Sequence, residues 1–491
     1  MNKKQIIKIT GILLLLLLSV TILTGILSSK WKKPCYDTRV QKEFYELEKD
    51  TIEVCLLGSS QVVYGVSCMN LMEEYGISAY SLGSTKQPLI ASLAWLQECR
   101  KTQDISTVIL DTSMLFEDTE EARYHVAFDN MKLSRNKIQA IYEHCKMRDN
   151  ADPFMSYFIK IIKYHSRWSE LTEDDFTYDA QDMPVFRGNV ISSSTKKMDL
   201  YDIAYDHDKY NENLRMQEYQ QLYFENLVQY CKEEGLNLVL IKTPKNNWSI
   251  TKHILVEEYA QENDLPFLDF SSETMMSEIG LDINTDFLDG EHLNLFGARK
   301  LTTYLGEYLK EHYNLTDYRE IDGYVNPGYD RYLEYVKDCE LQVCSDIPDY
   351  FQALKDDRYE IILQITSNLS GKYDSEQKEV LTGLGIRSDL NNLGNLRFTA
   401  CIHNGENLYE NVAENDITYQ GSFSDGTQYL LTSSPSKNVK ASVQVDHKNY
   451  TFSQKGLNIL VYDSIHGCIV DRASIYEDTE NGQLKLAHET K

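Results

Sequence analysis

The chain of 491 residues is long enough for two or three domains with buried cores, which excludes a small scaffold stapled by disulfides. Its 49 basic and 75 acidic side chains give a net charge of −26, which argues against nucleic-acid partners and against adsorption to anionic lipid head groups. The ten cysteines show no zinc-ligand spacing and no glycine-rich phosphate loop is present, so we expect neither a metal nor a cofactor.

An apolar segment from about Ile9 to Leu27 follows the N-terminal lysines. Its roughly 19 residues, at about 1.5 Å rise each, suffice to cross a hydrocarbon core of about 30 Å. A secretory signal has a shorter apolar region and a cleavage site of small residues. We therefore predict that residues 1–33 are a cytoplasmic tip and an uncleaved single-pass anchor in the cell membrane. Lysines flank both ends of the span, but the lack of a second span favours an extracellular location for the rest of the chain.

Residues 34–50 are interpreted as a charged connector, and an alternating α/β pattern follows it. The predicted strands are 53–57, 79–84, 107–111, 236–244 and 266–270. The predicted helices are 67–75, 88–100, 217–234 and a closing amphipathic helix. Residues 115–220 are richer in charge and aromatics and are predicted to be an insertion that covers the sheet edge or forms a lid. Strands that alternate with helices predict a doubly wound parallel sheet.

The first strand runs directly into a turn that carries serines. Gly58 permits a sharp turn, which would place Ser60 at the carboxyl end of the strand, where open α/β sheets bind their ligands. On this stretch alone, the simpler interpretation is that Ser59 or Ser60 caps the next helix. Asp289 and His292 favour a catalytic interpretation, because residues three apart can bring a carboxylate and an imidazole together on one turn. A serine, a histidine and an acid are then all present.

Three short blocks resemble the SGNH/GDSL hydrolase superfamily. They are Gly58-Ser59-Ser60 after the first strand, Gly83 after the second, and Asp289-Gly290-Glu291-His292 before the last helix. The resemblance covers about residues 50–315 and implies a three-layer α/β/α domain at 51–315. The single-span bacterial members are the closer likeness: the lipoteichoic-acid D-alanylation protein D and the alginate O-acetylation proteins. Those proteins are anchored, face outward and are implicated in acylating cell-surface polymers beside a membrane-bound O-acyltransferase.

The resemblance also implies roles for individual residues. Ser60 would be the nucleophile, His292 its general base and Asp289 the group that orients the imidazole and stabilises its cation. The backbone N–H groups of Ser60 and Gly83 would form the oxyanion hole.

The third block departs from the superfamily pattern. It normally adds an asparagine side chain to the oxyanion hole, whereas here the strand ends in Asp111-Thr112-Ser113. Thr112 is therefore the candidate for the third donor. Loss of one such donor can cost about two to three orders of magnitude in rate. A degenerate, non-catalytic site is the alternative that this departure leaves open.

A different pattern begins after a predicted linker at 316–344. The predicted helices are 349–355 and 375–384, and the predicted strands are 359–365, 396–403, 417–423, 426–434, 441–445, 448–453, 456–462 and 468–476. The hairpin with Gly456 and Gly467 resembles the end of the interleukin-like EMT inducer/PANDER fold, also called the GG domain. This likeness covers about residues 345–480 and implies an α+β domain, with residues 481–491 as a tail. Cys339 and Cys344 are close enough in sequence to pair in an oxidising compartment.

These features predict an anchored extracellular enzyme that transfers an acyl group, acetyl or similar, to a cell-surface polysaccharide or teichoic-acid-like polymer. A carbohydrate esterase is one alternative. A non-catalytic glycan-binding or scaffold protein of an envelope polysaccharide assembly is the other. Some relatives of the GG domain are linked to glycan recognition, but a purely structural role for that domain is equally compatible with the sequence. A membrane-bound O-acyltransferase is the protein partner that the resemblance implies.

Overall fold

The computed structural model describes residues 3–28, 36–172, 174–177, 184–207, 209–366, 369, 371–394, 396–433, 442–452 and 456–489. Parts of the predicted connector, insertion, strand ends and tail lie outside these residues. The chain divides into two units, Met1–Tyr332 and Leu333–Lys491.

The helices that begin in the first unit are α1 (Lys3–Leu27), α2 (Tyr36–Phe44), α3 (Ser60–Gly65), α4 (Cys68–Tyr75), α5 (Leu89–Cys99), α6 (Glu121–Phe128), α7 (Arg135–Met147), α8 (Lys160–Tyr164), α9 (Asp174–Thr177), α10 (Leu200–Ile203), α11 (Glu218–Glu233), α12 (Ile250–Glu262), α13 (Glu273–Glu278), α14 (Leu295–His312) and α15 (Tyr329–Val343). Short 3₁₀ helices lie at Ser113–Phe116, Phe154–Tyr157, His165–Ser169, Tyr205–His207 and Tyr318–Glu320. Helix α1 is long and apolar enough over Gln5–Leu27 to cross a membrane, and a signal sequence would meet the same description.

A five-stranded parallel sheet forms the centre of the first unit, in the order β2-β1-β3-β4-β5. Its strands are β1 (Val54–Leu57), β2 (Ala79–Ser81), β3 (Thr107–Asp111), β4 (Asn237–Lys242) and β5 (Phe267–Asp269).

Alternate residues of β1 point to opposite faces of the sheet and enter two separate cores. Val54 and Leu56 pack with side chains of α4 and α14, whereas Cys55 and Leu57 pack with side chains of α5 and α11. A strand buried on both faces is typical of a parallel sheet covered by helices on each side. The predicted three-layer α/β/α fold class is confirmed.

The predicted connector at 34–50 contains a packed helix. Val40 and Phe44 on α2 are buried in the core, and the carbonyl of Val40 accepts a hydrogen bond from the Tyr80 hydroxyl at 2.8 Å. Asp37 on the same helix is also buried and accepts a hydrogen bond from the N–H of Thr85 at 2.7 Å, whereas Lys42 is exposed. Two apolar residues four apart, together with this buried carboxylate, fix the helix against the domain.

The insertion at 115–220 contributes to the core. Side chains of α6 and α7, among them Tyr124, Phe128 and Ile141, belong to the same apolar cluster as α5 and are buried. The insertion therefore covers one face of the helical layer, in addition to any role near the site.

The second unit contains two antiparallel sheets. Six strands lie in the order β15-β14-β13-β6-β7-β8 and four in the order β12-β11-β10-β9. The strands are β6 (Tyr359–Ile365), β7 (Arg397–His403), β8 (Glu406–Ala413), β9 (Ile417–Ser422), β10 (Gln428–Ser433), β11 (Ser442–Val445), β12 (Lys448–Thr451), β13 (Leu457–Asp463), β14 (Cys468–Glu477) and β15 (Leu484–His488). The helices are α16 (Ile347–Ala353), α17 (Ser375–Gly383) and a 3₁₀ turn at Leu390–Asn392.

Strand β13 shows how the layers of the second unit pack. Leu457 and Ile459 face the cluster that holds α16 and α17, whereas Leu460 and Tyr462 face the four-stranded sheet. The six-stranded sheet is thus covered by helices on one face and by a second sheet on the other, which agrees with the α+β class expected for this region.

One prediction for the C-terminal half needs correction: residues 484–488 of the predicted tail form strand β15, which pairs with β14. The sequence left the pairing of Cys339 with Cys344 open, and in the structure their sulfurs are not bonded to each other. The thiol of Cys344 instead donates to the carbonyl of Asp346 at 3.4 Å.

His488 on β15 provides a pH-dependent contribution to stability. Its Nδ1 lies 3.0 Å from a carboxylate oxygen of Asp471, and its Nε2 lies 2.7 Å from the carbonyl oxygen of Cys344. Burial by itself lowers the pKa of His488, but the hydrogen bonds and charge of Asp471 outweigh it and raise the pKa. Since the folded pKa exceeds the unfolded one, this stabilisation is complete below the unfolded pKa and is lost as pH rises through the folded pKa.

We expect wild type to show a fall in the protection of β14 amides as the pH rises above the ordinary histidine pKa of about 6.5, after correction for intrinsic exchange rates. His488→Asn should remove that part of the pH dependence. His447→Asn, at an exposed position, should keep it. Equal pH profiles for wild type and His488→Asn would contradict the assignment.

Candidate active site

The turn after β1 gives its two serines different environments. Ser59 caps α3 by accepting a hydrogen bond from the N–H of Gln61 at 3.3 Å, and its own hydroxyl donates to Asp111 at 2.9 Å. Ser60 is the first residue of α3, and its hydroxyl faces His292. Ser59 is therefore the helix cap, and its neighbour Ser60 is the serine that contacts the histidine.

Gly58 is required by the close approach of β1 and β3. Its φ of +147° disfavours a side chain, and an added Cβ would lie 2.6 Å from the Cβ of Asp111. The buried carboxylate of Asp111 accepts hydrogen bonds from the hydroxyl and N–H of Ser59, and from the hydroxyl and N–H of Ser113. Asp111 thus holds the serine turn in place from the neighbouring strand.

Ser60, His292 and Asp289 form a continuous hydrogen-bonded chain. The Oγ of Ser60 lies 2.7 Å from Nε2 of His292. The Nδ1 of His292 lies 3.1 Å from both carboxylate oxygens of Asp289. Serine, imidazole and carboxylate in this order can transfer a proton from the hydroxyl to the ring while the acid holds the ring.

Asp289 is the most exposed member of this chain, with 47% of its side chain accessible. One of its oxygens also accepts from the N–H groups of Glu291 at 2.7 Å and of His292 at 2.9 Å. Partial burial raises the pKa of Asp289, but the hydrogen bond and charge of His292, together with the backbone donors, outweigh it and lower the pKa to about 2. Asp289 is therefore ionised and fixed by its own turn.

Tyr64 is an aromatic neighbour of the histidine that the sequence analysis missed. Its ring centroid lies 4.9 Å from that of His292, and the ring also packs edge-on with that of Tyr36 on α2. Burial, with smaller contributions from Asp37 and Asp289, raises the pKa of Tyr64 to about 12. Tyr64 therefore presents a neutral ring that shields one side of the imidazole from water.

Gln61 on α3 hydrogen-bonds to two loops that are distant in sequence. Its amide nitrogen donates to the carbonyl of Glu291 at 2.5 Å, and its amide oxygen accepts from the hydroxyl of Thr243. The loop after β4 also reaches the acid turn directly, because the N–H of Asn246 donates to the carbonyl of Gly290 at 2.9 Å. The loop after β4 thus fixes the position of the Ser60 turn relative to the turn that carries His292.

The backbone of Gly83 lies against the start of α3. An added Cβ would lie 2.7 Å from a methyl of Val62 and 2.9 Å from the carbonyl oxygen of Ser59. Within the part of the chain that the structure describes, neither the N–H of Ser60 nor that of Gly83 donates a hydrogen bond. Both are therefore available to a developing oxyanion beside Ser60.

Thr112 does not contribute the third donor that was assigned to it. Its N–H and its hydroxyl both donate to the carbonyl of Ile241 on β4, at 3.0 and 3.1 Å. The prediction placed Thr112 by its position after β3, but the parallel pairing of β3 with β4 takes up both of its donors. Of the three predicted oxyanion donors, only the N–H groups of Ser60 and Gly83 lack an acceptor among the described residues.

Gly83→Ala should lower activity by about two to three orders of magnitude, because the new methyl group displaces α3 and with it an oxyanion donor. Steady-state kinetics against a small ester would measure this. Gly235→Ala is the matched control, since a Cβ there meets nothing within 4 Å. We expect it to cost stability through its left-handed φ but to keep the rate. Full activity in Gly83→Ala would show that the turn has room for a side chain.

Lys242 is a buried cation at the carboxyl end of β4. Its ammonium donates to the carbonyl of Thr243 and lies 5.1 Å from the ring centroid of Trp248. Burial lowers the pKa of Lys242 to about 7, although the charge of Asp111 opposes the shift. This side chain places a titratable group beneath the loop that carries Thr243.

A second cluster of titratable side chains lies in the insertion. Ligand-type atoms of Glu121, His125 and Asp152 lie within 4.8 Å of one another. Lys163 donates to Asp152 and Tyr157 donates to Glu121, so the ammonium of Lys163 supplies a positive charge to this cluster. The sequence did not reveal it because Asp152 follows α7, whereas the other two lie on α6.

No family model matches the sequence, and no curated protein matches it. Six chains of solved structures match it, and two of them are described here. One, described as an acylhydrolase from Bacteroides fragilis NCTC 9343, is 12% identical, covers 56% of this chain and 95% of its own, and has a TM-score of 0.27. The other, a GDSL-like lipase from Bacteroides thetaiotaomicron VPI-5482, is 10% identical, covers 56% and 98%, and has a TM-score of 0.28.

Proposed function

We propose that this chain is an acyl-ester enzyme in which Ser60 is the nucleophile. The observation that carries the proposal is the unbroken contact from Ser60 through His292 to Asp289. The serine stands at the carboxyl end of a central parallel strand, where this type of sheet binds ligands.

In the first half-reaction, Oγ of Ser60 attacks the carbonyl carbon of the acyl donor while Nε2 of His292 takes its proton. The N–H groups of Ser60 and Gly83 stabilise the oxyanion of the tetrahedral intermediate. Collapse of that intermediate breaks the bond to the leaving group, which receives the proton from His292. The product is an acyl-serine ester, and Asp289 stabilises the imidazolium that forms on the way.

In the second half-reaction, an acceptor hydroxyl gives its proton to His292 and attacks the acyl-serine. The ester bond to Oγ of Ser60 then breaks, and this oxygen takes the proton back from His292. If the acceptor is a polymer hydroxyl the outcome is transfer, and if it is water the outcome is hydrolysis. We favour transfer of an acetyl or similar group to a cell-surface polysaccharide or teichoic-acid-like polymer, with α1 as anchor, the body outside the cell and a membrane-bound O-acyltransferase as partner. The length and apolarity of α1 and the resemblance to single-span acylation proteins support this.

The second unit offers a surface for such a polymer. An open cavity of about 810 Å³ is bordered by α17, the 3₁₀ turn after it and the start of β8. Lys378, Arg387, Asp389, Asn391 and Asn407 contribute hydrogen-bonding groups to its wall. A polar cavity of this size suits a short saccharide segment. Titration of the full-length chain with envelope polysaccharide fragments, with Arg387→Ala for comparison, would measure this binding.

A fluorophosphonate probe tests the catalytic assignment. Wild type should be labelled at Ser60, and Ser60→Ala should not be labelled. The acyl content of the cell-surface polymer, measured by NMR in strains with wild type or Ser60→Ala, then separates transfer from hydrolysis. Labelling at another residue, or normal polymer acylation with Ser60→Ala, would overturn the proposal.

One observation favours a non-catalytic scaffold as the second candidate. At the end of β3 the chain places the acceptor carboxylate of Asp111 and an engaged Thr112, where the resembling superfamily has an amide donor. A scaffold would bind the polymer, but the fluorophosphonate probe would not label its Ser60.

A further inference from the structure

The end of the apolar helix α1 is held by the insertion. A guanidinium nitrogen of Arg167 donates to the carbonyls of Leu27 at 2.9 Å and Ser28 at 2.7 Å, and its other nitrogen binds the buried carboxylate of Asp175 at 2.9 Å. The last carbonyls of a helix lack partners within the helix, so this contact completes the end of α1. Helices α8 and α9 and the 165–169 turn all contact α1.

Five large apolar side chains on this same segment are exposed. They form what we call the 155–176 patch: Met155, Ile159, Ile162, Trp168 and Phe176. Trp168 is 72% accessible. The turn that carries Met155 packs on α8, and the other four lie on or beside elements that contact α1. Exposed apolar groups concentrated in one segment mark a surface that is covered in the working protein.

The position of the patch indicates what covers it. If α1 spans a bilayer over Gln5–Leu27, the carbonyls that Arg167 binds lie where the helix leaves the hydrocarbon core. Side chains within a turn or two of that point then lie at head-group depth, because one turn advances only about 5.4 Å. Tryptophan and other aromatic side chains favour this depth.

Three basic side chains on α8 and the 165–169 turn are paired within the part of the protein that the structure describes. Lys160 lies 3.9 Å from Asp129, Lys163 binds Asp152, and Arg167 binds Asp175. Attraction to anionic head groups is therefore not what would hold this surface on a membrane, in agreement with the acidic net charge. A contact between the patch and a membrane would therefore depend on burial of its apolar side chains in the lipid.

We propose that the 155–176 patch is a second membrane contact, which inserts into the outer interface of the bilayer and fixes the body against the surface beside α1. This inference rests on the membrane anchor of the proposed function. It adds that the body is docked on the lipid rather than only tethered to it.

Quenching of Trp168 by lipid tests the proposal in the full-length chain. The background is Trp31→Phe, which removes a tryptophan close in sequence to the span, while Trp95 and Trp248 are buried in the core. The protein is reconstituted in phosphatidylcholine vesicles with and without brominated acyl chains. Trp168 should lose most of its emission in brominated vesicles, at low and high salt alike, and Trp168→Phe should remove the quenched component.

A matched control uses the equally exposed Tyr201 on α10, also 72% accessible. Tyr201→Trp in the Trp168→Phe background should show no quenching. Absence of quenching at Trp168, or equal quenching at both positions, overturns the proposal. Extraction with alkaline carbonate reports on α1 separately: release of the chain refutes the anchor, and quenching at Trp168 without an anchor would still support the patch.

Discussion

Ser60→Ala should lower the turnover of an ester substrate by about four to six orders of magnitude, with the fold intact. The Oγ of Ser60 is the only atom of this side chain that contacts Nε2 of His292, so the substitution removes the nucleophile and the proton donor together. His292→Ala should lower the turnover by a similar factor, because no base then takes the proton of the Ser60 hydroxyl. Single-turnover kinetics with a chromogenic acetyl ester would measure both.

The double variant Ser60→Ala/His292→Ala should lose little more than the worse single variant, since members of such a chain act as one unit. Asp289→Asn should keep more activity than either, because half of its carboxylate already faces water and the backbone still fixes the turn. Ser277→Ala on α13, an exposed position, is the control and should match wild type. Additive losses in the double variant would contradict a shared mechanism.

Arg358→Ala should destabilise the second unit by about 3–5 kcal/mol, which is typical when one partner of a buried ion pair is removed. The guanidinium of Arg358 binds Asp463 at 2.9 Å, Asp338 at 3.0 Å and Asp356 at 3.0 Å. Arg358, Asp338 and Asp463 are buried, so the substitution removes the permanent positive charge from two buried carboxylates and leaves Asp463 with His466 at 2.9 Å. Arg358→Lys should rescue only part of the loss, because an ammonium cannot match the forked geometry.

Hydrogen exchange of the β6 and β13 amides in the full-length chain would report this change. Lys337→Ala is the matched control: its ammonium lies 3.5 Å from Asp356 but is 64% accessible, so we expect a loss of no more than about 1 kcal/mol. Unchanged protection in Arg358→Ala would show that the buried charges find other partners.

The sheet of the first unit could be predicted because its strands are short apolar runs between polar flanks. The spacing of Asp289 and His292 likewise indicated a contact, since residues three apart on a turn meet. Their catalytic role stays a prediction. Helix α2 was missed because its charged residues outnumber the two that anchor it, Val40 and Phe44.

The remaining differences between the predicted and the observed structure depend on contacts between residues far apart in sequence. The N–H and the hydroxyl of Thr112 donate to a carbonyl of β4 that the register between β3 and β4 places beside them. No local sequence pattern reveals that register. Gln61 bridges Glu291 and Thr243, about 180 to 230 positions away in sequence. Strands β8 and β15 are sheet edges with mixed polar side chains, so they lack the apolar signal that marks central strands.

The exposure of Asp289 makes the site responsive to the ions around it. Mobile counter-ions can approach a carboxylate that is half in water, and at physiological ionic strength they screen its field over about 8 Å. The electrostatic contact between Asp289 and the ring of His292 would then weaken as the salt concentration rises. A carboxylate enclosed in protein would be insulated from such changes, whereas this one is open to the ionic composition of the surrounding solution.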